Sequence, residues 1–367
     1  MNAAGKKVIN LGIGSPDLAP SAETITELAT QALRPDVHAY QSYIGIPELR
    51  EAYANWYLRY YGVTLSAQTE ILPLMGSKEG VFHISMAFIN PGDKVLIPNP
   101  GYPTYSSVSK LVGAELVPYN LDASNNWYPN FQELEANCLE GVKMMWVNYP
   151  HMPTGAPASM EVYAQLIAFG KKHNILICND NPYSFILNPT PLSIMSVPGA
   201  KDVAIELNSL SKSHNMAGWR MGMIAGSEAH LAYILRVKSN MDSGMFRPMQ
   251  SAAAKALTAG PEWFAAINKE YQHRKELALE ILELIGTEVD PKQTGMFVWA
   301  KISNEWESGE AISEFFLHKA NVFITPGHIF GSQGFQYIRL SLCSNLDMLR
   351  EAKQRILLSI QKSENKN

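Results

Sequence analysis

Disulfides, membrane spans and nucleic-acid surfaces have little to draw on in this sequence. Cysteine occurs 3 times in 367 residues, at Cys138, Cys178 and Cys343. Positions so far apart predict neither a disulfide framework nor a metal-ligand set, and read as thiols of a reducing compartment. Charged residues make up only 17%, and 30 Lys and Arg against 34 Asp and Glu leave a net charge of −4. The basic residues are spread out, so no nucleic-acid partner is expected. No apolar run approaches the ~20 residues of a membrane helix. The start, Met1–Lys7, lacks the apolar stretch of a signal peptide. The expectation is a cytoplasmic protein with no membrane partner. Repeats and low-complexity linkers are also missing, and the polar end Ser363–Asn367 is expected to fray. Hydrophobic residues, at 46%, are plentiful enough for a large core and for two domains.

Between residue 71 and about 226, short apolar runs alternate with helix-like stretches. Ile71–Met75, Val95–Pro98, Lys143–Val147, Ile175–Cys178, Val203–Leu207 and Met221–Ala225 read as strands. Glu79–Ile89, Tyr105–Val112 and Met160–His173 read as helices. That alternation predicts an α/β fold with a mostly parallel central sheet covered by helices. Ligands of such sheets sit beyond the carboxyl ends of the strands. The residues just after each strand therefore carry the functional reading.

The most informative of these is the run Ser209-Leu210-Ser211-Lys212 with Arg220 eight residues on and Gly222 behind it. A lysine at a strand mouth can form an imine with an aldehyde, while hydroxyls and a guanidinium suit a phosphate dianion. Aldehyde plus phosphate points to pyridoxal 5′-phosphate (PLP), a cofactor that serves as an electron sink. Gly76-Ser77-Lys78-Glu79-Gly80 after the first strand offers backbone N–H groups to an anion. Asn99–Tyr105 is a rigid turn that presents Tyr102 and Tyr105 to a flat ring, or packs them at the surface. Asp180, placed one residue beyond a strand, is either a partner for a cationic pyridinium or a turn cap.

Taken in order, these segments resemble the class I/II PLP-dependent aminotransferases of PLP fold type I, the aspartate aminotransferase superfamily. The resemblance runs from about Leu11 to Ser341 and includes Leu11–Asp17, Tyr40 with Gly45, Pro153-Thr154-Gly155, Asp180-x-x-Tyr183 and Tyr337–Ser341. Gly76–Gly80 and Asp242-Ser243-Gly244 are nearest to the LL-diaminopimelate/alanine aminotransferase branch. The family pattern implies that Lys212 bonds the cofactor aldehyde, Asp180 the pyridine nitrogen and Tyr183 the ring hydroxyl oxygen. It implies Tyr102 on the ring face, and Ser209, Ser211, Arg220 and the backbone of Ser77 and Lys78 on the phosphate. Tyr40 would reach the phosphate of a neighbouring subunit, giving a homodimer with shared active sites. Arg339, with the backbone of Gly14, would hold the substrate carboxylate. Leu18, Tyr40, Arg247 and Phe297 are candidates for the substrate side chain. The expected division is a large PLP-binding domain over 35–265 and a small α+β domain from 1–34 and 266–367. No metal is implied.

One position departs from the pattern. The family places Asn before Pro-Thr-Gly, bonding the ring hydroxyl oxygen; here it is Met152, preceded by His151. A thioether donates nothing, so the contact is lost unless His151 or Asn148 supplies it. The expected reaction moves an amino group between an L-amino acid and a 2-oxo acid. A carbon–sulfur lyase or decarboxylase would use the same cofactor residues. A non-catalytic PLP-binding regulator is the alternative of another class.

Overall fold

The computed structural model describes Gly5, residues 7–137 and residues 139–364, so Cys138 and the extreme ends lie outside the described residues. Thirteen strands follow one another among these residues. They are β1 (Ile9–Asn10), β2 (Ile71–Leu74), β3 (Lys94–Asn99), β4 (Glu115–Asn120), β5 (Val142–Val147), β6 (Leu176–Asp180) and β7 (Ala204–Ser209). Then come β8 (Gly222–Ala225), β9 (Glu288–Val289), β10 (Phe297–Lys301), β11 (Val322–Phe323), β12 (Thr325–Pro326) and β13 (Tyr337–Ser341).

The central sheet has seven strands in the order β2-β8-β7-β6-β5-β3-β4. Every pairing from β7 to β4 is parallel, and only β8 runs against its neighbours. The alternating residues of these strands feed two cores. Met145, Val147, Ile177 and Met223 enter the core shared with helices Pro47–Tyr61 and Met160–His173. Met144, Trp146, Cys178, Ile205 and Leu207 enter the other, under helices Ser77–Phe88, Pro103–Leu111 and Glu228–Lys238. A sheet apolar on both faces must be covered on both, which is what the sequence pattern requires.

A second, antiparallel sheet has the order β12-β13-β10-β9. Helix Pro261–Leu284 packs on its β9 and β10 and on helix Leu346–Glu364. That helix crosses residue 265 without a break, and helix Ala22–Ala32 packs on Arg247–Ala256. Segment 11–14 runs along the antiparallel sheet at β13: Ser341 N–H donates to the Leu11 carbonyl and Ser341 Oγ to that of Ile13.

Several boundaries differ from the sequence reading. Helix Ser77–Phe88 starts two residues earlier than read, so Ser77 and Lys78 form its first turn. Helix Pro103–Leu111 likewise starts at its proline, which suits a first helical position. Asp180 is the last residue of β6, not one beyond it, and Lys212 lies on the one-turn helix Leu210–Ser213. Strand β4 escaped the reading because it is a half-exposed edge strand that contains Pro118, tolerable only where no further ladder is needed. The C-terminal helix persists to Glu364, and the rest of the end expected to fray, 365–367, lies outside the described residues. No helix among the described residues is long and apolar enough to cross a membrane.

Candidate active site

The parallel strands end on one edge of the sheet, and β8, running the other way, begins there: Ser209 pairs with Gly222. Its reversal brings Arg220 to the same edge as Asp180 and Lys212. A cavity of 460 Å³ opens above them. It is lined by Gly14, Ser77, Lys78, Tyr102, Asp180, Tyr183, Ser209, Ser211, Lys212, Arg220 and Arg339. Every residue expected to hold the cofactor or the carboxylate is there except Tyr40, which is 90% exposed on this chain; of the other candidates for the substrate side chain, Phe297 lines the cavity and Leu18 and Arg247 do not.

Asp180 is 5% exposed, and its Oδ2 accepts from the Tyr105 hydroxyl at 2.9 Å. Its Oδ1 is buried with no hydrogen-bond partner. Burial pushes the carboxyl up to about 7, the Tyr105 bond pulls against this, and buried Glu206 adds to it. Tyr105 is itself fully buried, stacked on Trp146 with centroids 5.0 Å apart. Its role is thus to hold the aspartate, while the less buried Tyr102 meets its ring edge-on. Lys212 Nζ donates to the Gly14 carbonyl. Its amine is held below the ordinary lysine range, chiefly by burial, with the Arg220 and Arg339 cations adding to the effect.

The anion cradle follows from local backbone. Gly76 has φ 87°, and a Cβ there would stand 2.3 Å from Nη2 of Arg220. Only glycine lets the guanidinium lie across the start of helix Ser77–Phe88, whose first N–H groups point out of the helix. Arg220 sits in the left-handed region itself, at φ 58°, a conformation that costs energy and is found where a side chain must be aimed. Ser209 Oγ accepts from Ser211 N–H at 3.2 Å, which holds the Ser209 hydroxyl at the start of the one-turn helix that carries Lys212.

Arg339 stands on β13 between Thr325 of β12 and Trp299 of β10. Its guanidinium lies 4.0 Å from the Phe297 ring centroid and 4.6 Å from that of Phe330. Nη2 donates to the Gly12 carbonyl at 2.8 Å, Nη1 reaches only the Met152 thioether at 3.3 Å, and Nε has no partner. Burial lowers its pKa to about 10. A desolvated guanidinium with a free N–H and a weak sulfur acceptor is poised for a carboxylate.

A buried acceptor awaiting a cation, a buried amine and an anion cradle in one cavity fit an aldehyde-bearing pyridine phosphate. The comparisons with known proteins decide the family. The chain matches the model of aminotransferase class I and II over residues 6–356.

The chain belongs to this aminotransferase family.

It is 41% identical over 342 residues to the LL-diaminopimelate aminotransferase of Dehalococcoides mccartyi strain CBDB1, covering 93% of this chain and 88% of that one. Against the LL-diaminopimelate aminotransferase of Aquifex aeolicus it is 41% identical over 355 residues, covering 96% and 91%. Among solved structures it superposes on apo-BacF from Bacillus subtilis with a TM-score of 0.92 at 37% identity, covering 96% of this chain and 95% of that one. This aminotransferase is PLP-dependent and transfers an amino group, like its relatives.

The departure at Met152 acquires a structural meaning in this aminotransferase. His151, one candidate replacement, turns its Nδ1 to Thr154 Oγ1 at 2.8 Å and does not line the cavity. Asn148 does line it, but its amide donates to the Asp180 carbonyl while its oxygen accepts from Met152 N–H. The bound cofactor should therefore keep its proton to higher pH than with asparagine at 152. Met152→Asn is expected to move the cofactor's absorbance titration to lower pH, since bonding to a charged oxygen stabilises it. An unchanged midpoint would mean that Asn148 already serves as donor.

Glu206 and the wall formed by Ile329 and Phe330 escaped the sequence reading. Glu206 is fully buried beside Asn179 in the sheet, and accepts from Tyr57, Ser193, Asn179 and the backbone of Ile194. Such a carboxylate is tolerable only when every oxygen is bonded. Arg247, a candidate for reading an acidic substrate, lies outside the cavity, 3.6 Å from Glu48.

Proposed function

We propose that the residues of the 460 Å³ cavity divide the work of transamination between them. PLP, when bound, supplies an aldehyde that takes up the amino group and a ring that accepts electrons from the substrate's Cα. Asp180 Oδ1 holds the proton of the ring nitrogen. Lys212 anchors the aldehyde, and once released its Nζ takes the proton from the substrate's Cα and returns it to the aldehyde carbon. A lowered lysine pKa suits a base working near neutral pH. Tyr183 donates to the ring hydroxyl oxygen, and Tyr102 covers the ring face. Ser209, Ser211, Arg220 and the N–H groups of Ser77 and Lys78 hold the phosphate. The observation that carries this reading is the unpartnered, buried Oδ1 of Asp180 facing the same cavity as Lys212.

Arg339 and the backbone of Gly14 hold the substrate's α-carboxylate in this reading. Exposed Tyr40 supports a homodimer in which it reaches the neighbouring subunit's phosphate. The large sheet, within about 35–265, forms the cofactor domain, and the antiparallel sheet belongs to the smaller one. The free, buried thiols of Cys178 and Cys343 support a cytoplasmic setting.

Arg339→Lys tests the carboxylate assignment, because it keeps the charge and loses the fork. The Michaelis constant should rise roughly tenfold or more for every amino acid, as one charge-assisted hydrogen bond is worth about 1.5–3 kcal/mol. If only acidic substrates suffer, Arg339 reads the side chain instead.

A further inference from the structure

We infer that the preferred amino donor carries an aromatic or large aliphatic side chain, with no second charged end. The inference rests on the proposed carboxylate clamp at Arg339. Four cationic side chains face the cavity: Lys78, Lys212, Arg220 and Arg339. Lys212 and Arg220 serve the cofactor, and Arg339 the α-carboxylate. Lys78 is in the first turn of helix Ser77–Phe88, on the phosphate side, and is exposed.

The only carboxylate facing the cavity among the described residues is Asp180, whose free oxygen the ring nitrogen takes. Among the described residues of this chain, no further carboxylate lines the cavity to neutralise an ammonium at the end of a substrate side chain. Around the clamp, Phe297 and Phe330 flank the Arg339 guanidinium and Met152 touches it, while Pro182 and Ile329 line the same cavity. An ionic end set against them would give up its water with no partner in return. A phenyl ring finds aromatic edges and faces there, the geometry such rings prefer. Diaminopimelate, named in the relatives at 41% identity, is a diamino dicarboxylic acid with two charged ends. The inference therefore separates this chain from those relatives within one family.

The test uses the cofactor-loaded enzyme in its native assembly, so any group supplied by a second subunit is present. With one fixed 2-oxo acid acceptor, kcat/KM for phenylalanine should exceed that for LL-diaminopimelate by roughly 100-fold or more, the discrimination expected when a polar end is left unpaired. Calorimetry supplies a readout without turnover: 3-phenylpropanoate should bind at least roughly tenfold more tightly than heptanedioate. Ile329→Arg, which puts a cation into a half-exposed wall position, should raise the diaminopimelate-to-phenylalanine ratio by about tenfold or more. Equal or reversed preferences in the parent, in either assay, overturn the inference. Failure of the clamp looks different: Arg339→Lys would spare phenylalanine while the preference over diaminopimelate persists.

Discussion

Lys212→Ala is expected to abolish multiple turnover and the covalent hold on the cofactor together. The alanine variant keeps the phosphate cradle of Arg220, Ser209 and Ser211, so it should still bind PLP, more weakly and reversibly. It loses the one buried amine lining the cavity, the other lysine there, Lys78, being exposed. A positioned general base contributes roughly two to four decades in rate, and the nucleophile's loss comes on top of that. Borohydride treatment of the parent, followed by peptide mass spectrometry, should place the cofactor on Lys212. Label on another lysine, or near-parental turnover in the variant, would sink the assignment.

The second large effect belongs to Asp180→Asn. Asparagine keeps the size and the Tyr105 contact but cannot carry the charge that keeps a ring nitrogen protonated. Cofactor binding should persist while turnover falls by roughly two or more decades, at about 1.4 kcal/mol each. The same substitution has a signature in the cofactor-free protein. Folding raises the carboxyl from its ordinary 3.8 to about 7, so the folded chain retains a proton that the unfolded chain releases. Stability is therefore lost as pH rises through that window, by a few kcal/mol at most at about 1.4 per unit. Melting temperatures of the cofactor-free parent should decline relative to Asp180→Asn between pH 4 and 7. Parallel curves would mean that the carboxylate ionises normally and the cavity is wetter than its walls imply.

The residues legible in the sequence are those fixed by what stands next to them. Lys212, Asp180 and Ser77 each follow or end an apolar strand, and a strand's end in a parallel sheet is a location in space. Arg220 was legible through its spacing from Lys212, although the antiparallel direction of β8 that explains the spacing was not. Glu206 sits within an apolar run, and its partners come through lateral register with Asn179 and from Tyr57, 149 residues away. The Arg339–Met152 contact spans 187 residues. Tyr105 was seen as a ring available to a ligand, yet its stacking on Trp146 turns the hydroxyl inward to Asp180. Such lateral pairings leave no periodicity in the chain.

The reversed strand β8 has one more consequence. Lys212 and Arg220 belong to the excursion between two hydrogen-bonded neighbours, closed at its base by Ser209 and Gly222. The attachments proposed for aldehyde and phosphate thus lie on one local excursion of the chain, which costs less loop-closure entropy than a contact between distant segments. Asp180 must be delivered by a parallel neighbour, while Gly14 and Arg339 come from near opposite ends of the chain. In the proposed scheme the covalent hold on the cofactor and part of its phosphate cradle are thereby local, while alignment of the substrate is a global matter. A chain whose antiparallel sheet has loosened would be expected to keep its cofactor and lose its choice of amino acid first.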